Sequence, residues 1–390
     1  MRDNHFYLFD KEQKMTKKYF EHVGSFLRPE ALKKAREEFE AGKISKEELR
    51  AVEDRLIKEL VDKEIAAGLE KVTDGEFRRA YWHLDFFWGF QGIDHVQAAE
   101  GYHFHDETTK ADSALIAGKI SGENHPFVAD YKFLYDLLAD KEGVEAKYTI
   151  PAPAQFYFEL IRDAEHVAKL KEVYPDFAAL RQDIKKAYLT VIEDLYKAGL
   201  RTLQVDDCTW GTLVDEAFLT AWGAPQDKSS KQVRDELADI FLTLNNDVYQ
   251  NVPDGLQVNT HVCRGNYHST WASSGGYGPV AHELFGEEAA KTYFLEFDSE
   301  RAGGFEPLAD FRDPDKVAVL GLITSKDAKL EDKEAVIARL KEASQYLPLD
   351  QLWLSTQCGF ASTEEGNILT EEDQWAKLEL VKEIIDDVWG

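Results

Sequence analysis

Short apolar, β-branched runs recur along this chain. Each ends in a polar cluster and is followed by a stretch with helical spacing. Eight runs stand out: EHVGSF (21–26), KVTDGE (71–76), KYTIPAP (147–153), TLQVDDC (202–208), LQVNTHVC (256–263), TYFLEFDS (292–299), VAVLGLITS (317–325) and LWLSTQCG (352–359). Runs of this length bounded by turn residues predict buried strands. The charged segment 29–69 predicts helix, interrupted at Gly42 and restarted by Ser45 with Glu48 three residues on, the spacing of a capping box. Helical spacing fills 155–198 and stops at Gly199, a C-terminal cap glycine. Further helices are predicted from about 231 to 251 and over 370–388.

Strands alternating with helices across short turns are the mark of βα units around a parallel sheet. Eight units predict an α/β fold with a single (β/α)8 TIM barrel. An open doubly wound sheet also fits the alternation, and the unit count favours the closed form. Residues 91–135 do not read as a βα unit. They carry GYHFH and LIAGKISG and predict a hairpin inserted after the second strand. Residues 1–18 read as an N-terminal extension, and 19–390 as one barrel domain.

Composition narrows the function classes. The chain has 390 residues, with 46 Lys and Arg against 73 Asp and Glu, a net charge of −27. So acidic a surface excludes the counterion-releasing contacts that nucleic acid requires and opposes docking on an anionic membrane. A hydrophobic fraction of 44% places the chain among globular proteins. No apolar segment is long enough for a membrane span, the N-terminus lacks the apolar core of a secretory signal, and three cysteines make no disulfide framework. A cytoplasmic protein is expected.

Nearly every run ends in residues able to do chemistry: Ser25, Asp74 and Glu76, Asp206 and Asp207, His261 and Cys263, Glu296 and Asp298, Thr324, and Cys358. In a (β/α)8 barrel the C-terminal strand ends converge on one mouth. Any one of these residues can simply mark where a strand stops; all of them doing so is the weaker reading. His261 and Cys263 are two apart on a strand and point to the same side. With Glu296 and Cys358 they make four ligands of the types that zinc accepts. The plainer alternative is a buried thiol pair and a capped carboxylate. His103 and His105, beside Asp106 and Glu107, read as a solvated loop, and Cys208 as an ordinary thiol near the mouth. Asp74-Gly75-Glu76 and Asp206-Asp207 suit acid/base work, a divalent metal or an ammonium group, although Asp-Gly-Glu also reads as a tight turn. A glycosidase would use such a carboxylate pair but leave the thiols and imidazole unexplained. Gly275-Gly276-Tyr277-Gly278 lacks phosphate-loop spacing and reads as a mobile lid or a plain loop. Trp210, Trp271, Phe156 and Tyr157 flank strand ends, as core residues or as stacking surfaces for a flat ligand.

The set His261-x-Cys263, Glu296 in FLEFDS and Cys358 in STQCGFAS resembles the zinc site of the cobalamin-independent methionine synthase family, in its catalytic C-terminal barrel. His22 to Phe26 resembles the Gly-Ser-Phe that opens that barrel, Asp74 to Arg78 its Gly-Glu-Phe motif, and Leu203 to Asp207 its Gln-x-Asp-Glu motif. The resemblance covers about residues 20–385 in consistent order. It implies a Zn2+ that activates the thiol of homocysteine, with methyl transfer to give methionine. It implies that Ser25, through its backbone, Glu76 and Asp206 hold the amino-acid part of that substrate. The chemistry agrees: two carboxylates suit an ammonium, and backbone N–H groups suit a carboxylate.

Four departures bear on the methyl donor. The chain leaves no room for the family's N-terminal second barrel, which helps to bind the folate. The family's Asp-x-His-Ser, whose His is implicated in protonating the donor, is here Leu322-Ile323-Thr324-Ser325. The Asp-Glu-Pro after the fourth strand is Asp206-Asp207-Cys208, and a Trp after the third has only Phe156 or Tyr157 in its place. The chain most resembles the single-barrel, methionine synthase II-like proteins, with the donor, folate or corrinoid, left open. The alternatives are a zinc thiol alkyltransferase with another donor or acceptor, a non-catalytic zinc or thiol-metabolite binder, and a metal-free decarboxylase of the related barrel superfamily.

Overall fold

A computed structural model describes residues 19–390; the extension assigned to 1–18 lies outside the described residues. Strand β1 (Lys71–Val72) is followed by an antiparallel pair, β2 (Gln91–Gln97) and β3 (Asp112–Ser121). Then come β4 (Glu145–Pro151), β5 (Thr202–Asp206), β6 (Gln257–Val262), β7 (Thr292–Glu296), β8 (Val317–Ile323) and β9 (Leu352–Thr356). β1 and β4 to β9 form one parallel sheet of seven strands in that order. This is an α/β fold consistent with a TIM-like barrel.

The run 21–26 lies between the two ends of this sheet. Phe20 makes a parallel bridge to Leu354 of β9. At the other end, Thr73 Oγ1 donates to Gly24 O at 2.7 Å and Phe26 N to Gly75 O at 3.1 Å. Interior side chains take up carbonyls that a longer ladder would satisfy. Lys147 Nζ donates to His22 O, and Gln204 Nε2 to Val23 O at 2.6 Å. These bonds remove the cost of leaving buried carbonyls unpaired.

Helices pack outside the sheet. Ser45 caps Lys46–Ala67 with the full capping box, and Thr370 does the same for Glu371–Trp389. In Phe177–Lys197 the buried Leu180, Ile184, Ala187, Tyr188, Val191 and Leu195 form one stripe at helical spacing. Large apolar side chains buried in this way contribute roughly 1.5–3 kcal/mol each. No helix among the described residues is long and apolar enough to cross a membrane.

The 91–135 stretch is not all hairpin. The antiparallel pair ends at Ser121, and Phe127–Leu137 is a helix. Its buried Phe127, Tyr131 and Leu134 recur at i, i+4 and i+7, a helical rather than a strand period. GYHFH falls in the β2–β3 connection, where only the single bridge His103–Thr108 forms.

Candidate active site

β6 brings His261 and Cys263 to the C-terminal edge of the sheet, on one face because they are two apart. His261 Nδ1 lies 3.2 Å from Phe294 O of the adjacent β7. A carbonyl only accepts, so Nδ1 carries a proton and Nε2 is the nitrogen turned to the thiols. That nitrogen lies 3.2 Å from Cys358 Sγ. Cys358 follows β9 in a turn: Gln357 N still bonds Ile323 O of β8 at 2.9 Å, and Thr356 Oγ1 then donates to Cys358 O at 2.7 Å. The donor atoms of His261, Cys263 and Cys358 lie within 4.8 Å of one another, and all three residues are buried. The Cys263 thiol is held well below its ordinary range by hydrogen bonds from Cys208 and Cys358 and by His261, against its burial. Two thiols and an imidazole with its other nitrogen anchored are a donor set that could hold a soft divalent metal.

Glu296 ends β7 beside this cluster, where its charge acts on both His261 and Cys358. Its Oε1 pairs with Arg301 Nη2 at 2.6 Å, and its Oε2 accepts from Arg264 N at 2.8 Å. Cys208, read from sequence as an ordinary thiol, has its Sγ 3.2 Å from Cys263 Sγ.

The substrate-binding candidates share a cavity of about 400 Å³ with the thiols; Ser25, Glu76, Asp206, Cys208, His261, Cys263 and Cys358 all line it. Glu76 sits in a left-handed turn, at φ +60° after Gly75 at +64°. Its backbone N–H donates to Asp74 Oδ1 at 2.9 Å, which makes Asp74 a turn residue. Glu76 Oε1 accepts from Thr149 Oγ1 at 2.8 Å, while Oε2 is buried with no partner. Burial pushes the Asp206 carboxyl up to about 7, with His261 opposing and Glu76 adding to the shift. Ser25 abuts Gly359: a Cβ there would lie 2.0 Å from Ser25 Oγ, so glycine permits the contact between the first run and the last. Asp207 is structural. It accepts from Thr209 N at 2.9 Å and from Asn245 Nδ2 at 2.8 Å.

Most of the other candidates lie elsewhere, although His103 reaches the cavity rim. Trp210 and Phe156 are core, Tyr157 packs on Phe177, and Trp271 stacks on His105. The aromatic cavity wall comes instead from Trp82, Tyr102, Phe158 and Trp222. Helix Pro153–Leu160 turns Phe158 to the cavity and Phe156 away from it, a rotation that the sequence alone does not set. Tyr277 is fully buried, its hydroxyl bonded to Val262 O at 3.0 Å, so Gly275-Gly276-Tyr277-Gly278 is anchored rather than a mobile lid. His103 and His105 are exposed, as expected of a solvated loop. Glu159, Tyr102 and His83 also line the cavity: Glu159 accepts from Tyr102 OH at 2.6 Å and Ser113 Oγ at 2.5 Å, and His83 Nε2 lies 3.1 Å from Tyr102 OH. No motif announced these residues, because they come from a helix, a strand and two connections that no spacing in the sequence links.

Comparison with known proteins places this geometry. The family described as "Cobalamin-independent synthase, Catalytic domain" matches residues 21–371. An uncharacterized protein of Bacillus subtilis (strain 168), YxjG, is 43% identical over 369 residues, 94% of this chain and 93% of its own length. The methionine synthase of Sulfurisphaera tokodaii is 24% identical over 346 residues, 86% of this chain and 84% of that protein. A crystal structure of a candidate vitamin-B12-independent methionine synthase from Listeria monocytogenes superposes with a TM-score of 0.73 at 36% identity, covering 95% of this chain and 98% of that one. With a match that runs through both the first run and the last, the chain belongs to the family of cobalamin-independent synthase catalytic domains.

Proposed function

We propose that this protein is a zinc-dependent methyltransferase that moves a methyl group onto the thiol of homocysteine to form methionine. One observation carries the reading: a buried cluster of soft metal donors and an unpartnered carboxylate oxygen, Glu76 Oε2, belong to residues lining the same cavity. The first suits a thiol and the second an ammonium, the two ends of one amino acid.

His261, Cys263 and Cys358 would hold the zinc. Bound there, it would keep the substrate thiol deprotonated near neutral pH, and the thiolate is the nucleophile. The chain's own residues do the rest. Glu76 and Asp206 hold the ammonium, and Ser25, through its backbone, orients the carboxylate. The Phe294 carbonyl holds His261 with Nε2 turned to the thiols. Residues 19–390 form a single catalytic barrel in which 20–26 serves as the first strand. The donor is a methylated folate or a methylated corrinoid. No histidine stands at Thr324-Ser325, and Ser325 Oγ already donates to Gly359 O at 2.8 Å.

Turnover with homocysteine and radiolabelled methyl donors tests this reading. Labelled methionine is the expected product; stoichiometric binding of homocysteine without turnover of either donor would make the protein a binder rather than an enzyme.

A further inference from the structure

We propose that Glu159, acting through Tyr102, is a positioning residue that fixes His83 in the tautomer with an acceptor at Nδ1, so that the cavity reads an N–H group on a planar methyl donor. The inference rests on the methyl-transfer reading above and adds to it the chemistry of the edge by which the donor is held.

The tautomer follows from a chain of donors. Ser113 Oγ and Ala114 N, both on β3 of the inserted pair, donate to Glu159 Oε1 at 2.5 and 3.2 Å. Tyr102 OH lies 2.6 Å from Oε2. A carboxylate only accepts, so the one proton of the Tyr102 hydroxyl points at Glu159. Burial, then the Glu159 charge, holds that hydroxyl well above its ordinary range, and it keeps its proton. Its oxygen can then only accept from His83 Nε2, 3.1 Å away. Burial pushes the His83 imidazole down to about 4, with the Glu159 charge opposing and Arg162 adding, so the ring is neutral near neutral pH. A neutral ring with its proton on Nε2 presents an acceptor at Nδ1.

That acceptor has nothing to accept from. His83 lines the cavity, and its Nδ1 is buried with no partner. Gln155 lies one turn before Glu159 on the helix Pro153–Leu160, lines the same cavity, and carries a second buried acceptor without a partner, Oε1. Buried polar groups are ordinarily paired, so two orphaned acceptors in one cavity call for a ligand that brings donors. Trp82 packs on the His83 ring at 4.6 Å, and Phe158 shares the helix of Gln155. Aromatic neighbours favour a flat ring. The chemistry that fits is a planar heterocycle with N–H groups on its edge.

Glu159→Gln inverts the chain without changing its shape. Ala114 N can only donate, so the glutamine oxygen stays at the Oε1 position and its NH2 faces Tyr102. Tyr102 must then accept from the amide and donate to His83 Nε2, which moves the ring proton to Nδ1. An acceptor in the cavity becomes a donor.

Nitrogen NMR of the uniformly labelled full chain reads this directly, with the His83 signals assigned by their absence in His83→Phe. Wild type should show Nδ1 without a proton, and Glu159→Gln should show it protonated. Binding is read with two flat probes: pterin, whose edge carries N–H groups, and dimethyllumazine, methylated on both ring amide nitrogens and so an acceptor only. Wild type should prefer pterin by about tenfold, and Glu159→Gln should lose or reverse the preference. On a Tyr102→Phe background Glu159→Gln should move neither readout, because the chain is already cut. An undiminished effect there would make the Glu159 charge the cause and overturn the positioning role. A protonated Nδ1 in wild type, or equal binding of the two probes, overturns the proposal without any variant. The expected tautomer and preference in a protein that transfers no methyl group would instead defeat the methyl-transfer reading and leave the polarity of the cavity as argued.

Discussion

Glu76→Gln isolates the ammonium pocket. In the free protein, Oε1 is occupied by the Thr149 hydroxyl and lies 3.5 Å from Arg79 Nη1, while Oε2 is buried without a partner. Glutamine can still accept from Thr149 through its carbonyl, so the change removes mainly the negative charge and the second acceptor. The side chain is only 5% exposed, so solvent screening does little to soften the loss. A hydrogen bond to a charged group contributes about 1.5–3 kcal/mol. That corresponds to roughly 10- to 150-fold in Kd. The assay is calorimetric titration with homocysteine and with 4-mercaptobutanoate, which keeps the thiol and carboxylate but lacks the amine. Wild type should prefer homocysteine by about that factor. Glu76→Gln should lose the preference by weakening homocysteine alone, with metal content unchanged. If wild type binds both thiols equally, or if the variant weakens both alike, Glu76 does not read an ammonium and the acceptor is a different thiol.

Asp206→Asn should act in the same direction on homocysteine binding, again with metal retained, and loss of metal would refute its placement in the pocket. Purified protein should carry about one zinc, and Cys263→Ser or Cys358→Ser should lose most of it; unchanged metal by emission spectrometry in both variants would refute the site. Methyltetrahydrofolate should turn over more slowly than methylcobalamin, since a missing general acid typically costs about 10²–10⁴ in rate; folate rates in the ordinary range of about 1–10³ per second would refute this. Burial, then the neighbouring Asp207, pushes the Glu288 carboxyl up from 4.5 to about 8, so between those values the folded chain keeps a proton that the unfolded chain has released. Stability should therefore fall as pH rises through that window, by up to about 1.4 kcal/mol per pH unit, and Glu288→Gln should flatten the slope in urea melts; identical slopes would refute it.

The strands of the parallel sheet were legible because they are buried apolar runs cut off by polar residues, and His261 and Cys263 because strand geometry fixes the side on which i and i+2 point. Cys358 could be placed with them only through the inference that strand ends converge. Cys208 was not legible. Its place beside Cys263 depends on Asp207, whose N–H donates to His261 O at 2.8 Å, and on Gly211, where a Cβ would lie 2.2 Å from Cys263 O, and neither has a periodicity. The Glu296–Arg301 contact was not legible either, because Arg301 lies in the short 3-10 turn Glu300–Ala302 beyond the strand, where spacing predicts no contact. The helix Phe127–Leu137 was absorbed into the insertion for a different reason: the strand-like run before it masked a three-residue apolar stripe.

The cavity's electrostatics carry the donor argument further than the sequence did. A polyglutamate tail is a polyanion and needs cations free to meet it. Among the described residues, the arginines and lysines lining the cavity are Arg162 and Arg264. Arg162 donates to Glu100 O at 2.9 Å, reaches Glu159 at 3.5 Å and stacks over Tyr102. Arg264 is buried, with its guanidinium bonded to the carbonyls of Gly275, Glu296 and Ala302. Both are spent on holding the walls together. Around them the protein carries a net charge of −27, which repels a polyanion at a distance as well. Much of the cavity lining is instead aromatic, through Trp82, Tyr102, Phe158 and Trp222. Such a wall recognises a donor by its flat or apolar body, so lengthening a glutamate tail should add nothing to donor affinity here.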